Sequence, residues 1–338
     1  MRCETDIYLA GTGVWLPELS SVQAAVDAGL VGEGHRGLGY ESVAVADGMA
    51  APDLAVRAAR TAVARAGIAG DDYGLVLHAS LWFQGLDMWA SASYVAHAAV
   101  GPEPVAFDVA QRSNGGLGAL HLATAYLSAG FAHTALVTTG DVFAPPGINR
   151  WGSQFYTIFG DAGTAVVLST RGGFARIRAT ASLADNSLEP WGRGSTPFAD
   201  APGRELPVQV LRRAAEHAQR ADAARSWERL EAIMLAVRDR VLDDAGVKLG
   251  EVSRAVLPFI HRGAGRSENY DALGFTEQQS LWGFGRTVGH LGAGDQIAGL
   301  DHLLATRAVR RGDLVLLFGV GVGFTVAATL IEIVADPA

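Results

Sequence analysis

Residues 111–118 read QRSNGGLG and follow the extended stretch AFDVA at 106–110. The helix that comes next, LGALHLATAYLSAG, repeats apolar side chains at three- and four-residue spacing. Ser113 therefore falls where a buried strand turns into a helix, with glycines that allow close backbone approach. That is a place for a nucleophile, but a serine hydroxyl is a weak one unless an adjacent base takes its proton. Taken alone, a serine at such a position is more commonly a helix cap. The chemical reading needs a histidine brought to Ser113 from elsewhere in the chain.

Short apolar runs alternate with longer helical patterns along the whole sequence. The first half offers the strands IYLAGTGVWL, YGLVLHAS, VAFDVA, TALVTTGD and TAVVLST, with helices near 52–66, 88–99 and 115–129. The second half offers ARIRATAS, a helix within 222–245, RAVLPFI, a helix near 269–280, WGFGRTV as a strand, a helix from about 292 to 306, then DLVLLFG and TVAATLIEI. This alternation predicts a layered α/β fold of two similar halves, 1–170 carrying the nucleophile and 171–338 carrying its partners. The polar, Gly- and Pro-rich stretch 185–206 interrupts the pattern and reads either as a pocket-shaping loop or as a solvated insertion.

Size and composition narrow the function. A chain of 338 residues, 49% of them hydrophobic and 42 of them glycine, buries a large core. Its net charge of -8, with no basic run concentrating the 27 Lys and Arg, argues against nucleic acid as a partner. The single cysteine, Cys3, excludes an internal disulfide, and the N-terminus lacks a basic stretch followed by an apolar signal core, so a cytoplasmic protein is expected. The apolar stretch 314–334 contains Gly319, Gly321 and Gly323 and reads as two buried strands joined by a tight turn, not as a membrane span. GTG at 11–13 is no dinucleotide fingerprint, because Leu16 stands where the third glycine belongs. His35, His78, His97, His121, His133, His217 and His302 lack partners at metal-ligand spacing and are read as structural, with no metal expected.

The order FDVAQRSNGG, FGDAGTAVVLS at 159–169, LPFIHRGAG at 257–265, GHLGAGDQ at 289–296 and GVGFTVAA near the end resembles the ketoacyl synthase III group of the thiolase fold. The resemblance covers essentially the whole chain. It implies a duplicated five-layer α/β/α/β/α sandwich, usually a homodimer, and it puts Ser113 where the group has a cysteine that takes an acyl group from coenzyme A or an acyl carrier protein. Condensing members pair a histidine in a Pro-His-Gln-Ala-Asn motif with an asparagine further on. His261 matches that histidine, but its surroundings read FIHRGAG, and the asparagine is replaced by His290. Asp295 lies five residues beyond His290, a pattern similar to the acyltransferase branch of the group.

These departures fit one chemistry. Serine, unlike cysteine, needs a base at neutral pH, and a carboxylate on the other ring nitrogen orients that base and stabilises its cation. Ser113, His290 and Asp295 are thus expected to form a triad. The resemblance assigns the oxyanion to the backbone N–H groups of Ser113 and approximately Val322, and leaves His261 either as a further donor or as a holder of the acceptor. Trp82, Phe83 and Trp89 either line an acyl pocket or serve core and dimer packing.

The expected activity is acyl transfer, from coenzyme A or a carrier protein through a Ser113 ester to a small-molecule hydroxyl in polyketide-type biosynthesis. No permanently bound cofactor is expected, the acyl-CoA or phosphopantetheine-carried group being substrate. The alternatives are a starter-unit-selecting synthase, which passes a short acyl group to a carrier protein or condenses it, and a non-catalytic partner of an active synthase.

Overall fold

The computed structural model describes residues 5–154, 156–220, 223–260 and 269–336. The strands are β1 (Tyr8–Trp15), β2 (Leu19–Ser21), β3 (Ser42–Ala44), β4 (Leu75–Ala79), β5 (Val105–Val109), β6 (Thr134–Asp141), β7 (Ala162–Ser169), β8 (Ala175–Ala184), β9 (Val252–Val256), β10 (Leu314–Gly321) and β11 (Thr325–Ile333). The helices are α1 (Val22–Asp27), α2 (Glu33–Arg36), α3 (Ala51–Ala66), α4 (Ser91–Ala99), α5 (Gly115–Ser128), α6 (Pro190–Arg193), α7 (Val210–Ala218), α8 (Ala223–Ala245), α9 (Asn269–Ala272), α10 (Trp282–Val288) and α11 (Asp295–Ala305).

Nine strands run in the order β5-β4-β6-β7-β1-β8-β11-β10-β9. The two halves meet at β1 and β8, which share only the pairs Tyr8↔Arg176 and Leu9↔Ala175. Helix α3 covers β1, β6 and β7 from outside, α5 and α11 lie between the halves, and α8 covers β8 and β11. The result is five layers, helix, sheet, helices, sheet, helix, as expected of a thiolase-like sandwich.

Strand periodicity explains how one chain supplies three cores. Side chains alternate across a strand. On β10, Val315 and Leu317 join the central core with Leu117, Leu120, Ile297 and Leu300. Leu316 and Phe318 point the other way, to Val237 and Val241 of α8. On β6, Val137 faces the central core while Leu136 meets Ala58, Ala59 and Ala62 of α3. Strands buried on both faces read as continuous apolar runs. The 314–334 stretch is accordingly the antiparallel pair β10–β11, with Gly321↔Thr325 closing its turn, and no helix among the described residues is long and apolar enough to cross a membrane.

The GTG of β1 has a packing role. A Cβ on Gly11 would stand 2.3 Å from Ala62 O, and one on Gly13 2.1 Å from Ala58 O. Gly163 on β7 is pressed likewise against Leu54 of α3. Glycine on the sheet and alanine on the helix let the two backbones nearly touch.

Three sequence expectations change. The strand before Ser113, expected to be buried, is β5, which lies at the sheet edge with Val105 and Phe107 exposed. WGFGRTV is helix α10 rather than a strand. Its buried residues Trp282, Gly285 and Val288 recur every three positions and present one face, with Gly285 against the Phe259 ring. A short apolar run does not separate the two periods. Of the helix expected near 269–280, only Asn269–Ala272 is helical; a turn follows in which Ser280 N–H donates to Thr276 O at 3.2 Å and to Glu277 O at 3.1 Å.

Candidate active site

Ser113 sits in a single tight turn, Arg112–Asn114, ahead of α5. Arg112 holds φ at +53°, a left-handed conformation uncommon outside glycine, and it turns the chain sharply between strand and helix. The glycines of QRSNGGLG now have a reason. A Cβ on Gly115 would lie 3.1 Å from the Ala293 side chain, and one on Gly116 2.5 Å from Ala293 O. The first turn of α5 is thereby seated on the 291–294 turn, which leads from His290 to Asp295.

His290 is fixed by its own backbone. Its N–H donates to Ile158 O and its carbonyl accepts from Gly160 N–H, both at 2.9 Å. Its ring stacks on Phe159 at 5.6 Å between centroids. Asp295, fully buried, opens helix α11, where the helix dipole favours a carboxylate. It accepts three N–H bonds at 2.7 Å: from His290 Nδ1, from Leu291 N and from Phe259 N. Phe259 is held from behind by the Tyr40 hydroxyl, which donates to its carbonyl at 2.5 Å. Burial pushes the Tyr40 phenol well above its ordinary range, so it stays a donor.

The tautomer follows from this arrangement. A carboxylate only accepts, so His290 Nδ1 carries the proton and the Nε2 lone pair is free. Nε2 lies 2.8 Å from Ser113 Oγ, and the serine hydroxyl donates to it. Ser113, His290 and Asp295, drawn from both halves of the chain, thus form one unbroken relay. It can remove a proton from a hydroxyl and hold the resulting imidazolium against a buried carboxylate.

The other predicted residues divide. Gly321 is pressed onto the Ser113 turn, a Cβ there falling 2.2 Å from Gln111 O, so the Gly321–Thr325 turn with Val322 flanks the serine. Trp82 packs with Phe143, Ile148 and Phe159, the last being the ring that stacks on His290. Phe83 and Trp89 lie apart from that cluster, 49% and 37% exposed, with Trp89 against Tyr94. His261 lies outside the described residues, as does Cys3.

The 185–206 stretch contains α6 and reaches across the site. A Cβ on Gly192 would stand 2.9 Å from the Val322 side chain, and Val208 N–H donates to Gly147 O at 2.9 Å. Gly147 in turn touches Trp82. The segment therefore spans from the Val322 turn to the loop beside Trp82. Among the described residues no group of three His, Cys, Asp or Glu is arranged to hold a metal ion. Phe159, Phe259 and Tyr40 went unnoticed in the sequence as supports of the relay; FGDAGTAVVLS and LPFIHRGAG marked the first two only as parts of motifs.

A helix tipped by a hydrogen-bonded serine between two sheet halves defines a thiolase-like α/β protein. The family description 3-oxoacyl-[acyl-carrier-protein] synthase III matches residues 107–185, and that of its C-terminal part matches residues 242–333. The β-ketoacyl-[acyl-carrier-protein] synthase III of Hyphomonas neptunium (strain ATCC 15444) is 32% identical over 169 residues, 48% of this chain and 50% of that protein. That alignment spans about half the length of the curated relative. Among solved structures, the acyltransferase ChlB3 is 36% identical with a TM-score of 0.93, covering 98% of this chain and 99% of that one. The 3-oxoacyl-[acyl-carrier-protein] synthase III of Aquifex aeolicus VF5, 23% identical with a TM-score of 0.77 over 96% of this chain and 99% of its own, shares the fold. The chain belongs to the ketoacyl synthase III family.

Proposed function

We propose that the protein is an acyltransferase working through a Ser113 ester. The observation that carries this reading is the relay Ser113 Oγ, His290 Nε2, His290 Nδ1, Asp295 Oδ2, with links of 2.8 and 2.7 Å. The likeness of nearly the whole chain to the acyltransferase ChlB3 supports it. Ser113 Oγ attacks the thioester carbonyl while His290 Nε2 takes its proton. The backbone N–H groups of Ser113 and Val322 receive the oxyanion, and the tetrahedral intermediate collapses as His290 returns the proton to the departing thiol. In the second half-reaction an acceptor hydroxyl gives its proton to His290 and attacks the ester, and Ser113 leaves with that proton. Asp295 stays ionised throughout and steadies the imidazolium.

The donor is an acyl-CoA or an acyl carrier protein, and the acceptor a small-molecule hydroxyl in polyketide-type biosynthesis. Exchange of one oxygen ester for another is close to balanced, whereas return of the acyl group to a thiol is uphill. Trp82 and the 190–208 segment wall the acyl site, and His261 serves the acceptor or the oxyanion. The protein works as a homodimer: β5 is a sheet edge, with Val105 and Phe107 48% and 52% exposed, and an uncovered apolar edge invites a second copy.

Intact-protein mass after incubation with a panel of acyl-CoA and acyl-carrier thioesters tests the reading. An acyl mass increase, lost in Ser113→Ala and discharged by hydroxyl acceptors, is the expected result. Discharge by carrier thiols alone favours a starter-unit enzyme, and malonyl-dependent carbon dioxide release abolished by His261→Ala favours condensation. No adduct with any donor sinks the proposal in favour of a non-catalytic partner.

A further inference from the structure

We infer that Asp141 is a positioning residue for the relay: its buried carboxylate ties the loop that carries Trp82 to the turn behind His290. The inference rests on the acyltransferase reading only for its catalytic consequence.

Asp141 ends β6 and is 1% exposed. Its Oδ1 accepts from Leu81 N–H and Trp82 N–H, each at 2.8 Å, and its Oδ2 accepts from Ala293 N–H at 3.0 Å and from Leu81 N–H at 3.1 Å. Gly292, at φ +62°, lies so close that a Cβ would stand 2.2 Å from Oδ2. One carboxylate thus joins two segments far apart in sequence, and both bear on His290. Trp82 packs against the cluster of Phe143, Ile148 and Phe159, whose last ring stacks on the imidazole, and Ala293 lies in the turn between His290 and Asp295 while receiving Gly116 N–H.

The neighbouring Asp161 shows what an ordinary buried carboxylate in this fold requires. Arg150 pairs with it through two bonds of 2.8 Å, on top of the N–H bonds from Ala46 and Phe143. Among the described residues Asp141 has no such cation. Among the described residues, the elements beside it carry His78 on β4, Arg112, whose guanidinium donates to Leu81 O, the Asp161–Arg150 pair next to β7, and His290 and Asp295 on either side of the turn. Burial pushes the Asp141 carboxyl up to about 7, opposed by its N–H donors and by His290.

Two readouts test this on Asp141→Asn, which keeps the shape and removes the charge. Histidine-labelled protein followed by NMR, with no substrate present, reads proton uptake by the His290 ring. A midpoint that differs from the wild type is the expected result. Acylation of Ser113 by p-nitrophenyl acetate is expected to fall by up to about 100-fold at its pH plateau, in line with a misplaced base. An unmoved midpoint overturns the inference, as does an unchanged plateau in a variant whose wild-type parent is acylated. A wild type that is never acylated counts against the acyltransferase reading instead, and the NMR midpoint still decides on Asp141. Should the Asn variant fail to fold, Asp141→Glu is the second variant: slower acylation in a protein with an unchanged unfolding midpoint supports the inference, and acylation at the wild-type rate overturns it.

Discussion

Gly116 and Ala293 meet backbone to backbone: the glycine N–H donates to the alanine carbonyl at 3.2 Å, and a side chain at Gly116 would fall 2.5 Å from that oxygen. This contact sets the serine-bearing helix against the histidine-bearing turn and so fixes the 2.8 Å link between Ser113 and His290.

Gly116→Ala is therefore expected to part the two halves of the relay. A displacement near 1 Å costs on the order of 100-fold in rate. Acylation followed by intact mass should slow by that order while the circular dichroism spectrum stays that of the wild type. Acylation at the wild-type rate would show that the contact does not set the geometry.

Asp295→Asn removes the acceptor that fixes the His290 tautomer and sets an amide group among three N–H donors. Acylation should drop by about 100- to 10,000-fold. Each buried N–H left without an acceptor costs about 1–3 kcal/mol, so the urea midpoint should fall as well. A variant as active as the parent excludes the assigned role.

At the far side of the sheet, Gly163→Ala tests packing alone. Its methyl would stand 2.1 Å from the Leu54 carbonyl, and overpacking of this kind typically costs about 1–3 kcal/mol. Equilibrium denaturation should register a loss of that size, and an unchanged midpoint would mean that α3 shifts freely.

Trp82, Phe83 and Trp89 separate a pocket from an interface. Trp82→Ala should raise the donor KM and slow acylation, because its ring packs against the cluster whose Phe159 stacks on His290. Phe83→Ser and Trp89→Ser, at exposed positions, should leave acylation unchanged and instead weaken dimerisation measured by sedimentation. Equal kinetic effects at all three positions would return the exposed pair to the acyl pocket.

His78 gives a pH signature of stability. It is buried between Thr138 and Gln84, at 2.9 Å from each, and burial lowers its proton affinity below the ordinary histidine value. The folded state thus binds this proton less well than the unfolded chain. The contribution of His78 is complete above pH of about 6.5 and is lost as pH falls below it. His78→Leu, though less stable at neutral pH, should lose less on going from pH 7 to pH 5, and an equal slope in denaturation would assign the acid loss elsewhere.

Much of this protein was legible in its residues. Alternating apolar runs gave the layered α/β class, and the motifs around Ser113, His290 and Asp295 gave the fold and the three members of the relay, because short-range spacing and motif order are local properties of the chain. WGFGRTV went astray because its five apolar and glycine residues, spread over seven positions, satisfy both the two-residue and the 3.6-residue period, and only burial of Trp282, Gly285 and Val288 against the core chose the helix. Trp82 could not be told from Phe83 and Trp89 by type or spacing; its neighbours Phe143, Ile148 and Phe159 come from 60 or more residues away.

What the sequence determined by itself was which chemical groups exist and which short segments carry them. Only the tertiary structure decided that Ser113 and His290, 177 positions apart, stand 2.8 Å from each other, and that Asp141 cradles both supporting segments. The physical reason is that a hydrogen bond depends on distance and angle in space, and those are set here by glycines letting backbones from the two halves touch, a relationship no single stretch of chain contains.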